Sequence, residues 1–330
     1  MSDQKRRILR GFSWVLFLFI IVYILPISSF AAEKFPSRPI ELCLPWAPGG
    51  VTDWGNRLWG KYLEKYLGVS VVCSNKPGGG GVIGITYIAN SRPDGYTLAN
   101  VSDHLVISII MGQATYSLED IHVVAQVSRH TTVLAVNADS PWKTWQEFMD
   151  YARKNPGVKF AHTGIQSTPF LRMENLNKGA NLKMIGVPLK GQADMIQALL
   201  GKHLPIAVFA GMDAKAQADA GNLRILLSFD SPAEVGLDPT IPDFNTVFGK
   251  SIPGFEVGQY LIAPGKIPAE IAEVLERAVE KMTKEPDFIS EMRKNCFRPT
   301  FTNGKEMKGK ILPEKMALIK GILKDIGSVK

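Results

Sequence analysis

What this 330-residue chain lacks narrows its function before anything else does. It has only three cysteines, Cys43, Cys73 and Cys296, with no CxxC pair, so neither a zinc knuckle nor a thioredoxin-type dithiol is encoded. Five histidines, His104, His122, His130, His162 and His203, fall at no ligand-like spacing, and HExxH is missing, so no metal site is expected. Neither GxxxxGK[ST] nor GxSxG occurs, which removes the phosphate-loop and hydrolase-elbow readings. No nucleophile–base pair stands out, and no catalytic residue or cofactor is proposed. The positive excess is small: of the formal +7, +3 belongs to the first 31 residues, and the remaining +4 is scattered, which excludes a nucleic-acid partner.

What is present begins at the N-terminus. Lys5, Arg6, Arg7 and Arg10 precede an apolar stretch from Phe12 to Ile27, followed by Ser28-Ser29-Phe30-Ala31-Ala32. Basic, apolar and small-residue segments in that order predict a secretory signal peptide over 1–31, a mature start near Ala32 and a periplasmic location. A retained anchor is the alternative, although the apolar run is short of the roughly 20 residues a spanning helix needs. In an oxidising compartment an odd cysteine count leaves at least one thiol unpaired within the chain. Cys43 and Cys73 sit in apolar strand-like runs, where buried free thiols are the plain reading and a mutual bridge the alternative.

The remaining ~300 residues exceed one comfortable core and favour two lobes. Short apolar runs alternate with amphipathic stretches and Gly or Pro joins, the pattern of α/β layers around parallel sheets. A first wind reads strand Ile40–Leu44, helix Thr52–Leu67, strand Val69–Cys73, helix Val82–Asn90 and strand Tyr96–Val101. A second reads helix Trp142–Lys154, strand Val158–Ala161, helix Thr168–Lys178, strand Lys183–Val187 and helix Gln192–Leu200. Two extended segments, Val123–Val136 and Phe255–Ala263, are long enough to cross between lobes, and Pro268–Lys284 starts a return to the first. The expected division is lobe 1 over 32–133, lobe 2 over 134–253, and a crossover strand with return to lobe 1 over 254–330.

The sharpest motif is Pro45-Trp46-Ala47-Pro48-Gly49-Gly50-Val51-Thr52-Asp53, joining a buried strand to an amphipathic helix. Gly49 and Gly50 lack Cβ atoms, so their N–H groups can approach a ligand, and the helix N-terminus adds free donors and a positive dipole end. The plainer reading is a turn with Thr52 or Asp53 capping the helix. Asp53, a carboxylate beside an anion site, is expected to cap, or to meet a ligand hydroxyl, amine or water. The same strand-to-helix position in the second wind holds His162-Thr163-Gly164-Ile165-Gln166-Ser167-Thr168-Pro169-Phe170, whose Thr163, Ser167 and Thr168 bring hydroxyls; a bare N-cap is the alternative. Ser102, at a strand end, and Lys190-Gly191, after another, complete the candidate contacts, each with a simple turn or solvated lysine as its rival. Trp46 and Phe170 flank the two loops and are candidates for an apolar wall.

Gly79, Gly81 and Gly84 match GxGxxG, with Asp103 about 20 residues on, which outlines a dinucleotide fingerprint. Asn75-Lys76-Pro77-Gly78 separates the strand from the first of these glycines, so the tight strand–turn–helix that seats a pyrophosphate is lost. An exported nicotinamide-dependent enzyme is the alternative from another class, and a sensory ligand-binding module a third.

With these residues in view, the chain resembles the substrate-binding proteins of tripartite tricarboxylate transporters, the Bug family. The matching blocks are Phe35-Pro36-Ser37-Arg38-Pro39-Ile40, Pro45–Gly50 with Asp53, Asn75–Gly81 with Ile83-Gly84, Arg92-Pro93-Asp94-Gly95-Tyr96-Thr97-Leu98, Val187–Gly191 and Ala263-Pro264-Gly265-Lys266-Ile267-Pro268. They span the mature chain in order. The resemblance implies a monomeric periplasmic receptor of type II periplasmic-binding-protein fold, two Rossmann-like lobes joined by crossover strands. It implies closure on a small organic carboxylate held by backbone N–H groups at Ala47–Gly50 and by Thr163–Thr168, with membrane transporter subunits as partners. Trp46 for the usual phenylalanine, Gln166 for a glycine, Phe170 for a histidine and Leu189 for a tyrosine depart from the family pattern and suggest a ligand less polar than citrate.

Overall fold

The computed structural model describes residues 34–249, 251–252 and 254–329; the signal-peptide reading of 1–31 lies outside them. The strands are β1 (Ile40–Leu44), β2 (Val71–Asn75), β3 (Thr97–Ser102), β4 (Ile121–His130), β5 (Thr132–Asn137), β6 (Lys159–His162), β7 (Ile185–Pro188), β8 (Ile206–Ala210), β9 (Leu223–Ser228), β10 (Val257–Pro264) and β11 (Phe297–Asn303). They form two sheets. One has six strands in the order β11-β4-β10-β3-β1-β2, the other five in the order β7-β6-β8-β5-β9.

Each sheet has the parallel βαβ part that the α/β pattern implies and an antiparallel part, to which the crossover strands belong. β1 pairs in parallel with β2 and β3, and β6 with β7 and β8. The crossover strands run against them: β10 is antiparallel to β3 and β4, and β5 to β8 and β9. The expected single extended segment 123–136 is split into β4 in one sheet and β5 in the other. Thr131 makes the break, because its backbone pairs with neither sheet. Its N–H donates to Cys296 O at 3.2 Å, and its carbonyl accepts from Gly211 N at 2.9 Å.

Helices follow the strands for local reasons. Helix α1 (Val51–Leu67) buries Leu58, Trp59, Tyr62 and Leu63, spaced as one helical face, and stops at Gly68, whose φ of 72° and N–H bond to Glu64 O make a left-handed C-cap. Helix α2 is Val82–Ala89 and α3 is His104–Ile110. Helix α4 (Trp145–Lys154) begins three residues later than the apolar pattern suggested, because Thr144 and Glu147 form a reciprocal capping box. Its Trp145, Phe148, Met149 and Ala152 are buried at i, i+3, i+4 and i+7. Helices α5 (Thr168–Gly179), α6 (Gln192–Leu200) and α7 (Gly211–Asp219) complete the second lobe. No helix among the described residues is long and apolar enough to cross a membrane.

The segment returning from the second sheet to the first is tied down by a buried ion pair. Arg172 of α5 is 3% exposed, donates from Nη1 and Nη2 to both Asp230 oxygens at 2.8 and 3.0 Å, and from Nε to Phe255 O at 2.8 Å. Burial by itself would raise the Asp230 carboxyl, but the Arg172 guanidinium, with the Thr131 hydroxyl and His130 adding to it, holds that carboxyl below the usual carboxylate range. At the other end of the chain, Lys315 donates to Asp103 Oδ1 and Tyr260 Oη, both at 2.8 Å, fixing the C-terminal helix 312–325 on the first lobe.

All three cysteines are free thiols. The register explains why Cys43 and Cys73 do not bridge. Leu42 pairs with Cys73 and Cys43 with Ser74, so the two sulfurs point to opposite faces of the sheet. Burial pushes the Cys43 and Cys296 thiols up, to about 11 and about 12, and both are unreactive in that state.

Candidate functional site

A cleft of about 660 Å3 opens between the two lobes, and both strand-to-helix loops face it. Trp46, Ala47, Pro48, Gly49, Gly50 and Thr52 line it from the first lobe, and Thr163, Gln166, Ser167, Thr168 and Pro169 from the second. Ser102 lines it as well, donating to or accepting from His104 Nδ1 at 2.9 Å. Among the described lining residues there is no lysine or arginine.

The two helix N-termini differ in how their donors are committed. At α1 the N-cap is Gly50, with extended backbone and no side-chain cap, so no capping side chain occupies the first-turn N–H groups. Gly49 N–H is not among them: it donates to Asp53 Oδ2 at 3.0 Å. At α5 the Ser167 hydroxyl accepts from Phe170 N at 3.4 Å and donates to Gly164 O at 2.7 Å, a true N-cap, with Thr163 and Thr168 on either side of it in the cleft wall.

Five of the residues singled out from sequence, Asp53, Gly164, Phe170, Lys190 and Gly191, do not line the cleft. Asp53 is 6% exposed and turned away, held by Gly49 N–H, by Arg57 at 3.0 and 3.2 Å and by Asn75 Nδ2 at 2.9 Å. Burial would raise its carboxyl, but the Asn75, Gly49 and Arg57 donors together lower it. Asp53 is therefore the brace of the first loop, and Asn75 extends the brace by donating to Trp46 O at 3.0 Å. Gly164 spends its N–H on His162 Nδ1 at 3.0 Å. Lys190 is exposed to solvent, and Gly191 is the N-cap of α6; neither reaches the cleft wall, whereas the next residue, Gln192, does. Phe170 also points inward, stacked on His162 at 4.2 Å, so of the two candidates for an apolar wall Trp46 alone lines the cleft, edge-on to His104 at 5.4 Å. Neither Phe170 nor Leu189 lines the cleft, so two of the four departures offered for a less polar ligand do not bear on it.

The glycine run has a role that the dinucleotide pattern hides. Gly78, Gly79, Gly80 and Gly81 all have positive φ, between 57° and 136°, a path closed to ordinary side chains. The run packs beneath the first loop: a Cβ on Gly84 would lie 2.8 Å from Pro45 Cα and 2.9 Å from Lys76 O. Gly80 reaches the cleft rim and meets Gln166 of the second lobe, whose Nε2 donates to Gln113 Oε1 at 2.6 Å. Gln166 thus ties the lobes across the mouth of the cleft.

Sequence reasoning missed the far wall, made of His104, His130, Gln192, Ala210, Asp213 and Gln259. Burial lowers His104 and brings His130 down to about 4, so both imidazoles are neutral near pH 7. Asp213, in the first turn of α7, is pushed up to about 6 by burial. A hydrophobic strand, β8, ending at a helix start was the available signal for this wall.

Two α/β sheets joined by two chain crossings, with a ligand-sized cleft between helix N-termini, define a periplasmic binding protein of the two-lobed kind. The family model described as "Tripartite tricarboxylate transporter family receptor" matches residues 56–328. The chain is 30% identical over 304 residues to the UPF0065 protein in the gbd 5′ region of Cupriavidus necator, covering 91% of this chain and 90% of that one. Protein BugT of Bordetella pertussis is 28% identical over 307 residues, covering 90% and 92%. Among solved structures, a TctC solute binding protein from Polaromonas superposes with a TM-score of 0.73 at 26% identity over 88% of this chain and 100% of that one. An R. palustris protein solved with adipate gives 0.78 at 23% identity, over 89% and 99%. The malate-bound MatC from Rhodopseudomonas palustris gives 0.72 at 21%, over 88% and 100%. The chain belongs to the tripartite tricarboxylate transporter receptor family, whose members are solute-binding proteins.

Proposed function

We propose that this chain is an exported receptor that captures a small organic carboxylate in the interlobe cleft and delivers it to a tripartite tricarboxylate-type membrane transporter. The observation that carries the reading is the convergence of two strand-to-helix loops, Trp46–Thr52 and Thr163–Pro169, on one cleft lined by no cationic side chain among the described residues. An anion there is held by fixed backbone dipoles, which need no reorganisation when the ligand arrives. The adipate and malate of the two solved relatives support a carboxylate of this size. Closure draws its free energy from contacts made only when both lobes engage the ligand, and the Gln166–Gln113 bond across the mouth strengthens the closed arrangement. Export rests on the basic, apolar and small-residue order of residues 5–32.

The test is a thermal-shift screen of the purified protein against mono-, di- and tricarboxylates, aromatic acids, amino acids and nicotinamide cofactors. A true ligand at 100 times its Kd adds about 2.7 kcal/mol of stability. A Cβ on Gly50 meets nothing within 4 Å, so Gly50→Leu is expected to fold normally, fill the cleft and abolish the shift. No shift with any acid, or a shift with a dinucleotide alone, refutes the receptor reading.

A further inference from the structure

The far wall of the cleft carries buried polar atoms that nothing in the protein satisfies. Gln192, Asp213, Gln259 and His130 line it, and Gln192 Oε1, Asp213 Oδ2, Gln259 Nε2 and His130 Nδ1 are shielded from solvent without a hydrogen-bond partner. Gln259 is 1% exposed, and its own Oε1 accepts from the Ser128 hydroxyl at 3.3 Å, so its amide donor is left unpaired beside the cleft. A buried polar group without a partner is costly, and native proteins leave few of them unless a ligand or water completes the set.

The chemistry of the set is specific. The unpaired Asp213 Oδ2 and Gln192 Oε1 are acceptors, so a plain dicarboxylate, itself only an acceptor when ionised, can accept from Gln259 Nε2 but cannot satisfy those two atoms, and it is repelled by the Asp213 carboxylate. Burial is what raises Asp213, and the nearest cation on its own helix, Lys215, is paired with Asp219 at 2.5 Å. The neutral imidazoles of His104 and His130 offer Asp213 no countercharge. The cleft is therefore electrostatically two-ended: helix N-termini at the loops, an uncompensated carboxylate at the far wall.

Resting on the carboxylate reading above, we propose that the ligand is an amino-substituted carboxylate whose ammonium group is received by Asp213 and Gln192, making Asp213 the specificity-determining residue. An ammonium brings three donors and the missing positive charge; a hydroxyl brings one donor and no charge.

Calorimetric titration of matched acids tests this: succinate, malate and aspartate; glutarate, 2-hydroxyglutarate and glutamate; adipate and 2-aminoadipate. In the best-binding set the amino member is expected to bind on the order of tenfold more tightly than the unsubstituted acid, as a charge-assisted buried hydrogen bond provides. Asp213→Asn, nearly isosteric, is expected to bring the two within about threefold while leaving the unsubstituted acid as tight or tighter. An unsubstituted or hydroxy acid that binds best, or an amino preference that survives Asp213→Asn, overturns the proposal and leaves the carboxylate receptor standing. Failure of every acid in the series overturns both. The native protein gives a second readout should the variant not fold. At pH 6, ammonium binding beside Asp213 releases up to about half a proton, seen as a dependence of the heat on buffer ionisation enthalpy. Proton uptake, or none, on binding the amino acid overturns the assignment.

Discussion

Arg172→Met removes the guanidinium that joins α5 to Asp230 and Phe255 while keeping most of the side-chain volume. The native Arg172 is 3% exposed and Asp230 14%, so the substitution leaves a carboxylate largely out of water with its principal partner gone. Breaking a buried pair on one side costs about 3–5 kcal/mol, and the residual exposure of Asp230 favours the lower end, about 3 kcal/mol. For a chain of this size that corresponds to a fall in Tm of about 6 °C, measured by calorimetry. The deficit is pH-dependent in a defined direction. In the native protein the lowered Asp230 carboxyl contributes stability that is present above its unfolded pKa of about 3.9 and lost as pH falls through the lower folded value. In the variant burial is no longer offset, that contribution is missing, and the gap between the two proteins narrows as pH falls below about 4. Arg172→Met with Asp230→Asn is expected to recover part of the loss, because the orphaned charge is gone. A single variant as stable as the native protein at pH 7, or a gap that widens in acid, refutes the reasoning.

Gly84→Ala places a methyl 2.8 Å from Pro45 Cα and 2.9 Å from Lys76 O, so backbone must move. It is expected to cost about 1–3 kcal/mol and, because Pro45 opens the first loop, to weaken carboxylate binding more than Gly50→Ala does; equal binding in the two variants counts against the glycine run as a support for that loop. His130 is expected to drive acid instability. Its pKa is about 4 when folded against 6.5 when free, so the unfolded chain takes up the proton first and stability falls as pH drops from about 6.5 to 4, by on the order of 3 kcal/mol at most. His130→Gln should flatten that part of a denaturation series, and an unchanged slope excludes His130 as its cause.

Much of the fold was legible because it is written locally. β1 and α6 fall on the expected residues, and α5 ends one residue past its expected limit, since each is bounded by a Pro, Gly or capping residue that acts within a few positions. β2 lies two residues further on than its apolar run. As an edge strand it is only partly buried, so pairing with β1 and the Lys76 N to Leu44 O bond set its limits rather than hydrophobicity. Helix α7 left little trace because only Gly211 and Ala214 of its nine residues are buried, too few for an apolar stripe.

The amino-acid sequence by itself determined the two strand-to-helix loops and the family, because each depends on residues adjacent in the chain; the expected side-chain cap by Thr52 or Asp53 is absent from the first loop, where Gly50 is the N-cap. It left Asp53 two roles, helix cap or ligand contact, and the fold took neither, because Gly49 N–H, Asn75 from β2 and Arg57 from the next helical turn occupy its carboxylate. The mixed sheets, the break at Thr131 and the far wall were decided by tertiary structure alone. His130, Gln192, Asp213 and Gln259 come from four separate elements, and no local rule relates them. They become neighbours only when two crossing strands bring the lobes together, and only then do their unpaired polar atoms acquire a common meaning.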